Sequence, residues 1–379
     1  MHFVSSFNFG GIEQHVYELA ADQKKNNKVI ILCNDYLEPY YKEAFNVIKI
    51  RNFSRRNIFQ RYQLKKRLKK ENIDILHTHG TKTTSIISKI NTKNSFIHIS
   101  TLHNIKKDVS SYNNSDHVIA VSSNLTKEIT INSTIITNWI NFDPKEVLDS
   151  TLRKEDYALA VGRFEKAKGF DILIKSWVNI ESNLKIIGEG SQLNSLKDLI
   201  KKLNLEKKIT IEKFLPFAEI LKEYAKAKVV IISSRNEGGP RVALEALALR
   251  TPVLSTNVGH MSSILPKELL CKPDCLESFT KYIEKYMQKL DFINQSAIYD
   301  YVQDEFSLES KSNKINSIYK ELIKWPFIYS YLREVAGSSL AAFLAGHIPK
   351  NSPTIAEKVI EPNIAVIGIA KGQSFKLAN

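Results

Sequence analysis

The chain has 379 residues, of which 43% are hydrophobic and 25% are charged. This length and composition are typical of a globular protein with two domains, and they exclude an intrinsically disordered or fibrous chain. Its 54 lysines and arginines exceed its 40 aspartates and glutamates, giving a formal net charge of +14, which favours anionic partners such as nucleic acid, phosphorylated metabolites or an acidic membrane surface.

The first part of the chain alternates short apolar runs with amphipathic segments. We predict buried strands at 29–33, 73–76, 96–101 and 118–121, and helices at 13–24, 60–70, 85–90 and 123–130. Short continuous apolar strands that are separated by helices indicate a parallel sheet that is covered on both faces.

The same alternation restarts after a charged, aperiodic stretch at 141–156. Here we predict strands at 157–161, 184–187, 209–211, 229–232 and 252–255, and helices at 170–178, 192–203, 219–225, 241–249 and 276–290. The pattern predicts an α/β protein with two Rossmann-like, doubly wound domains facing a cleft, at 1–145 and 146–324, and a tail of unknown role at 325–379. Ligands are expected at the carboxyl ends of the strands.

Cysteine usage and hydropathy indicate the compartment. The three cysteines, Cys33, Cys271 and Cys275, are too few and too scattered for a disulfide framework, which favours a reducing environment. Residues 1–9 lack the pattern of a signal peptide, and no apolar run approaches the roughly 20 residues that span a bilayer. We therefore expect a cytoplasmic protein.

The stretch from Glu237 to Glu245 is the strongest functional signal. It joins a predicted buried strand to a predicted helix through Gly238, Gly239 and Pro240. Proline suits the first helical position, and the first amides of the helix, at Arg241, Val242 and Ala243, would then form an anion site. The two glutamates would lie about 12 Å apart in helical geometry and so suit two hydroxyl-bearing parts of one elongated ligand. The alternative is an ordinary turn with two solvated glutamates.

A second strand-to-helix loop carries two cations. It runs from Gly162 to Gly169 and contains Arg163 and Lys168, which are able to neutralise a diphosphate at the start of the next helix. A basic surface loop without a ligand is the alternative. Gly10 and Gly11 form a weaker signal of the same kind before the first helix.

Histidines occur at the ends of two predicted strands, as His77 and His79 and as His103. Histidine at such positions serves as a proton carrier or hydrogen-bond donor. We expect structural roles for His77 and His79. His103 directly follows a buried strand and is the better candidate for the cleft.

Taken together, these motifs resemble family 4 of the retaining glycosyltransferases, which have the GT-B fold. The resemblance covers about residues 1–324 and depends on the order of Gly10-Gly11-x-Glu13, the strand ending in His79, His103, the Gly162–Gly169 loop and the Glu237–Glu245 pair. The segment 258–263, with His260 where the family usually continues with glycine and an acidic residue, departs from the pattern and bears on donor preference.

The resemblance implies a role for each candidate residue. Glu245 would hold the ribose of a nucleotide and Glu237 the donor sugar, while His103 would hydrogen-bond and position that sugar. Arg163 and Lys168 would stabilise the leaving diphosphate. Backbone amides would assist, namely those of Gly10, Gly11 and the helix start at Val242. No metal or other cofactor is expected, since the sequence has no Asp-x-Asp and no other carboxylate cluster.

A basic segment from Arg51 to Lys70 interleaves nine lysines and arginines with apolar residues. It is equally consistent with peripheral contact with an anionic membrane, which would suit a lipid-carried acceptor, and with a solvated helix whose apolar side packs in the core. No nucleic-acid-binding module is present, so we expect no nucleic-acid partner.

These observations lead to one expected function and to alternatives. We expect transfer of a hexose or N-acetylhexosamine from a nucleotide-diphosphate sugar, with UDP favoured over GDP, to a glycan or lipid-linked acceptor of lipopolysaccharide, capsule or exopolysaccharide, at the inner face of the cell membrane. The alternatives are a nucleotide-sugar epimerase or phosphorylase on the same fold, and an inactive protein that binds nucleotide sugar and serves as an assembly partner.

Overall fold

The computed structural model describes residues 1–90, 95–104, 108–148, 152–289 and 294–336, with the backbone alone from 325. Residues 1–315 form one compact unit that contains two parallel β-sheets. This is the expected α/β architecture of two Rossmann-like domains.

The first sheet has seven strands in the order β3-β2-β1-β4-β5-β6-β7. The strands are β1 (His2–Val4), β2 (Ile30–Asn34), β3 (Asn46–Ile50), β4 (Ile75–His79), β5 (Ile97–Leu102), β6 (His117–Ala120) and β7 (Ser133–Ile135). The helices are α1 (Gly11–Gln23), α2 (Glu38–Tyr41), α3 (Ile58–Leu68), α4 (Thr81–Ser88) and α5 (Pro144–Val147). The order reverses between β1 and β4, which is where doubly wound sheets bind ligands.

The second sheet has six parallel strands in the order β10-β9-β8-β11-β12-β13 and reverses between β8 and β11. Its strands are β8 (Glu155–Val161), β9 (Asn183–Ile187), β10 (Ile209–Glu212), β11 (Ala227–Ile232), β12 (Val253–Thr256) and β13 (Leu270–Cys271). The helices are α6 (Phe170–Ser176), α7 (Leu193–Lys202), α8 (Phe217–Lys226), α9 (Arg241–Ala248), α10 (Leu276–Met287), α11 (Ser296–Glu305) and α12 (Leu308–Ala336).

Several strands, in both sheets, are buried along their whole length. Every residue of β2, β4 and β12 is buried, because helices cover both faces of a parallel sheet. This explains why the strands read as continuous apolar runs. In β4 the buried positions include His77, Thr78 and His79, so polar side chains are built into the middle of the first sheet.

The chain crosses back after the second sheet. The backbone amide of Ile140, in the connection between the two sheets, donates to the carbonyl of Phe306 at 2.8 Å, and the amide of Leu308 donates to the carbonyl of Ile140 at 3.1 Å. Backbone hydrogen bonds therefore hold the connection between the sheets against the start of α12. The predicted tail is described only to residue 336, where it continues α12, and the rest lies outside the described residues.

One predicted helix is wrong. Residues 123–130 form only a single 3-10 turn, Ser123–Leu125. The Thr126 hydroxyl donates to the carbonyl of Ser123 at 2.9 Å, and such local bonds compete with helix formation. Three strands were not predicted. β3 and β7 are partly exposed, so they lack a continuous apolar run, and β13 has only two residues.

The basic segment is a loop up to Asn57, whose side chain accepts a hydrogen bond from the amide of Gln60 at 3.0 Å and caps α3. The apolar side of this helix is divided. Leu64 and Leu68 are buried, whereas three large side chains are exposed, namely Ile58, Phe59 and Tyr62. In the described ranges, no helix is both long enough and apolar enough to cross a bilayer.

Candidate functional site

Two loops meet at the point where the second sheet reverses its strand order. Residues 162–169 follow β8 and residues 233–240 follow β11. Lys168 Nζ lies 2.8 Å from Glu237 Oε1, and the Ser234 hydroxyl donates to the same carboxylate oxygen. The two charged side chains are 21% and 12% exposed. Two residues predicted separately from the sequence are thus brought together as a largely buried ion pair.

Backbone contacts fix these two loops against each other. Gly169 has a φ of +67°, and a Cβ there would lie 2.1 Å from the carbonyl oxygen of Ser233, so only glycine fits. The Arg235 amide donates to the carbonyl of Ala167 at 2.8 Å. The Arg235 guanidinium binds both oxygens of Asp171, at 2.7 and 2.8 Å. This bidentate pair raises the pKa of Arg235 and ties the loop to α6.

The helix α9 starts at Arg241, as predicted, but Pro240 precedes it as the cap, with extended ψ, and is not its first helical residue. The amides of Arg241, Val242 and Ala243 still form the first turn, where amides have no partner within the helix. The Ala243 side chain is fully buried and that of Val242 packs partly against the core of the second sheet.

Glu245 lies inside the protein rather than on an open surface. Its side chain is 9% exposed, and its carboxylate lies 3.6 Å from Arg241 Nε. A hydrogen bond from the Tyr224 hydroxyl also reaches it. Burial raises the pKa of Glu245, and the Arg241 charge opposes that rise. A nucleotide ribose would have to compete with these partners.

Arg241 also joins the two sheets through Glu18 of α1. Its Nη2 donates to Glu18 Oε1 at 2.9 Å, and Trp139 Nε1 donates to the other oxygen at 2.7 Å. The Gln14 amide adds a third donor at 2.8 Å. Burial lowers the pKa of Arg241, but the charges of Glu18 and Glu245 outweigh it and raise the pKa overall. The helix that carries Glu245 is thereby linked to the first sheet.

His103 lies where the loops of the two sheets touch. A Cβ on Gly238 would lie 1.7 Å from the His103 carbonyl oxygen, so the two backbones are in direct contact. The His103 ring is buried, with Nε2 at 3.4 Å from His79 Nδ1. Burial lowers the pKa of His103 to about 3, so the ring is neutral at pH 7. A neutral imidazole is able to donate a hydrogen bond from one nitrogen.

His103 belongs to a cluster of buried histidines that the sequence did not reveal as a group. In two triads the ligand nitrogens lie within 4.8 Å of one another, His2 with His77 and His79, and His15 with His79 and His103. Most of these rings have hydrogen-bond partners, for example His2 with Gln23 at 2.7 Å. Neither ring nitrogen of His15 has one. Three imidazoles at this spacing are able to hold a transition-metal ion.

The other predicted residues are placed differently. The Gly10 amide donates to Glu13 Oε2 at 2.9 Å within the first turn of α1, whereas nothing lies within 4 Å of a Cβ on Gly11. The Arg163 side chain is 69% exposed and pairs with Glu165 at 2.8 Å. Of the two predicted phosphate cations, Lys168 is therefore the one that contacts Glu237.

Gly239 contacts the connection between the two sheets, and it also contacts residues 258–263, the segment whose sequence differs from the family pattern. The Asn138 side-chain amide donates to the Gly239 carbonyl at 2.6 Å. A Cβ on Gly239 would lie 2.4 Å from His260 Nδ1. The unusual His260 therefore packs directly on the loop that carries Glu237.

Two family models match the chain and together account for both sheets. Glycosyltransferase Family 4 matches residues 9–133, and Glycosyl transferases group 1 matches residues 146–297. Each of the two domains is therefore similar to a domain of glycosyltransferases. His103 and Glu18 lie in the family 4 domain, and Lys168, Glu237 and Arg241 lie in the group 1 domain.

Similar proteins support this assignment. An uncharacterized glycosyltransferase of Methanocaldococcus jannaschii is 29% identical over 279 residues, which are 68% of this chain and 78% of that protein. The O-antigen chain mannosyltransferase RfbU of Salmonella typhimurium is 27% identical over 197 residues, 49% of this chain and 56% of that protein. The structure of HepE from Anabaena in complex with UDP and glucose has a TM-score of 0.72 at 14% identity, covering 84% of this chain and 98% of that chain.

Sequence reasoning missed the residues that connect the family 4 domain to the group 1 domain. Glu18 and Arg241 are 223 positions apart, and Glu18 and Trp139 are 121 apart. Each is unremarkable within its own helix or loop. The signal that identifies Glu18 and Arg241 is that these charged residues are largely buried, and burial cannot be read from a single sequence.

Proposed function

We propose that this glycosyltransferase is a retaining enzyme that transfers a hexose or N-acetylhexosamine from a UDP-sugar to a growing surface polysaccharide or lipopolysaccharide. The observation that carries the proposal is the ion pair between Lys168 and Glu237 at the switch point of the group 1 domain, beside the backbone contact between Gly238 and His103. The Lys168 cation, the Glu237 carboxylate and the first amides of α9 are thus presented by the two loops that meet at this switch point.

The chemistry of glycosyl transfer fits this arrangement. The transition state resembles an oxocarbenium ion, and negative charge builds on the leaving phosphate. Lys168 and the first amides of α9 would stabilise that phosphate, because fixed donors in a water-poor site cost no reorganisation when the charge develops. Glu237 would hold the sugar hydroxyls, and neutral His103 would donate a hydrogen bond to the sugar. Lys168 would exchange Glu237 for the diphosphate when the donor binds.

We propose that catalysis needs no metal ion. In the part of the chain that the structure describes, the groups of three or more candidate ligands are the two histidine triads. A Mg²⁺ ion that bridges a diphosphate prefers oxygen ligands, and the Lys168 side chain supplies the positive charge in its place.

The acceptor and the location are proposed from two further observations. The relative in Salmonella typhimurium is named for O-antigen chain synthesis, which favours a surface glycan that grows at the cytoplasmic face of the membrane. The exposed Ile58, Phe59 and Tyr62 of α3 alternate with basic side chains. Such a face is suited to peripheral contact with anionic lipid, at about 1 kcal/mol per basic residue near the surface.

A thermal-shift screen of nucleotides and nucleotide sugars, followed by a transfer assay, tests the proposal. A ligand present at 100 times its Kd stabilises the native protein by about 2.7 kcal/mol, so UDP-sugars are expected to raise Tm more than GDP-sugars. The product of transfer should keep the anomeric configuration of the donor, as read by NMR. Release of sugar only to water or phosphate, epimerised donor, or nucleotide binding without turnover on any acceptor would contradict it.

A further inference from the structure

Five buried histidines lie together beside the contact between His103 and Gly238. They come from β1, α1, β4 and the residue after β5, and are His2, His15, His77, His79 and His103. Neighbouring rings in the group have their centroids 4.2 to 5.8 Å apart. The proposed transfer reaction uses only His103, so it does not explain why four further imidazoles are buried around it.

Hydrogen bonds on one side of the cluster fix where the protons of two rings lie. Gln23 Oε1 is an acceptor and lies 2.7 Å from His2 Nε2, so this nitrogen of His2 carries the proton. Burial keeps both rings neutral, since it lowers the pKa of His2 to about 3 and that of His79 well below its ordinary value. His2 Nδ1 therefore has a free lone pair and accepts from His79 Nε2 at 3.1 Å. The other nitrogen of His79, Nδ1, is left without a proton.

The lone pair of His79 Nδ1 faces the ring of His103. His103 Nε2 lies 3.4 Å away, which is longer than the range of about 2.7–3.2 Å for a good hydrogen bond. Two nitrogens that each bind one tetrahedral zinc ion at about 2.0–2.1 Å are about 3.3–3.4 Å apart. The observed spacing is thus that of two ligands of one ion. The bond from His79 to His2 is the kind of outer contact that orients a metal-binding imidazole.

His15 supplies the third ligand. Its ligand nitrogen lies within 4.8 Å of those of His79 and His103, so it has to move by at most about 1.4 Å to reach tetrahedral spacing. Among the described residues, neither nitrogen of this buried ring has a hydrogen-bond partner, whereas buried polar atoms are nearly always paired. Trp139 packs on the ring with a centroid distance of 4.0 Å and orients it. An ion in the triad would give His15 the partner that its burial calls for.

A cavity gives an ion access to this triad and room for a fourth ligand. Its volume is about 220 Å³, and His79 and His103 both line it. Of the described residues in the lining, Glu13 is the one carboxylate and Lys82 the one ammonium, so the lining as a whole does not repel a cation. Three histidines with one open position are a known zinc arrangement, and imidazole also suits nickel and copper.

We propose that His15, His79 and His103 bind one transition-metal ion of the zinc class, with the cavity side open to water, and that the bound ion inhibits sugar transfer. The ion ties α1 to the carboxyl ends of β4 and β5. Inhibition follows from charge, because the transition state resembles an oxocarbenium ion, and a divalent cation on the ring that positions the sugar raises its energy. The inhibitory part rests on the proposed transferase function, whereas binding of the ion does not.

Cobalt(II) titration of the full-length protein, after treatment with EDTA and dialysis, tests the site, because tetrahedral cobalt(II) absorbs visible light strongly. We expect bands that saturate at one ion per chain and disappear when zinc displaces the cobalt. His15→Phe keeps a ring against Trp139 but has no nitrogen. It should weaken the affinity by about 100-fold or more, above the 10–100-fold cost of losing an outer partner of a ligand. His117→Asn, which removes a partly exposed histidine outside the cluster, should leave the affinity within about twofold.

His77→Gln decides between the two triads of the cluster. His77 belongs only to the triad with His2 and His79, so this variant should keep the cobalt bands. Zinc should also raise the Tm of the wild-type protein, because it binds the native state, and not that of His15→Phe. Bands that survive in His15→Phe and vanish in His77→Gln would overturn the assignment, as would their absence from folded wild-type protein.

Transfer is measured separately on the same preparations. Saturating zinc should lower the kcat of the wild-type protein by about tenfold or more, and EDTA should restore it. His15→Phe should transfer at close to the wild-type rate with or without zinc. Equal wild-type rates with and without bound zinc would overturn the inhibition. Cobalt binding without transfer from any nucleotide sugar would contradict the transferase function and leave the metal site standing, and transfer without cobalt binding would do the reverse.

Discussion

The contact between Gly238 and His103 gives the sharpest test of how the two domains meet. Gly238 is buried, and its φ lies outside the left-handed region, so alanine meets no backbone strain there. Its Cβ would nevertheless lie 1.7 Å from the His103 carbonyl oxygen and 3.1 Å from Val121 Cγ2. Raising the first distance from 1.7 Å to 3.0 Å, the shortest that real Cβ atoms show, requires a movement of about 1.3 Å.

The position of the added Cβ is fixed by the backbone of residue 238, and its nearest neighbour is a backbone carbonyl oxygen, so the domains or their loops must move. Displacing catalytic groups by about 1 Å costs roughly 100-fold in rate, whereas overpacking of this kind costs about 1–3 kcal/mol in stability. We therefore expect Gly238→Ala to lower kcat for sugar transfer by about two orders of magnitude while the protein stays folded.

The assay is the initial rate of transfer from a UDP-sugar, with Tm measured on the same preparations. Asn236→Ala is the matched control, because Asn236 is an exposed residue of the same loop and the substitution adds no bulk. Its rate should remain near that of the wild type. Transfer by Gly238→Ala at more than half the wild-type rate would refute the conclusion that this contact sets the geometry of the site.

Three further predictions concern the groups around this contact. Removing one partner of a buried ion pair costs about 3–5 kcal/mol, so Glu18→Gln and Arg241→Met should each destabilise the protein to urea by that order, and the double variant by less than their sum; additive losses would argue against the pair. The pKa of His103 is about 3 in the folded protein, against about 6.5 for an ordinary histidine. Between these two pH values the unfolded chain therefore binds a proton that the folded protein does not. Stability should fall as pH falls through this range, by about 1.4 kcal/mol per unit for each such histidine, and less steeply in His103→Asn; identical slopes at pH 5–7 would contradict the assignment. Transfer should continue at an unchanged rate after EDTA treatment, and rescue of a chelated, inactive enzyme by a divalent cation would contradict metal-independent catalysis.

The fold was predictable because the signal for a parallel α/β protein is local. Buried strands such as β2 and β11 are continuous apolar runs, and the helices between them are amphipathic. The predictions failed where tertiary context decides. The stretch after Ser123 has helix-like spacing but forms one turn, because a hydroxyl bonds to the backbone instead.

The candidate site was predictable in its parts and not in its assembly. Glycines and charges at strand-to-helix loops pointed to Lys168 and Glu237, and the structure places them in contact. The burial of Glu245 against Arg241 did not follow from the spacing of the two glutamates. Neither did the link from Arg241 to Glu18, because it depends on how the two sheets meet.

The most direct test of the central claim is the turnover of Lys168→Ala and Glu237→Ala with a UDP-sugar and an acceptor. If these residues hold the donor, each variant should lose about 100-fold or more in kcat, as is typical when a charge-stabilising group is removed, with Tm showing a folded protein. Lys166→Ala is the control, since Lys166 is an exposed lysine of the same loop and should matter little. Near-normal transfer by both Lys168→Ala and Glu237→Ala would contradict the assignment of the donor site to this pair.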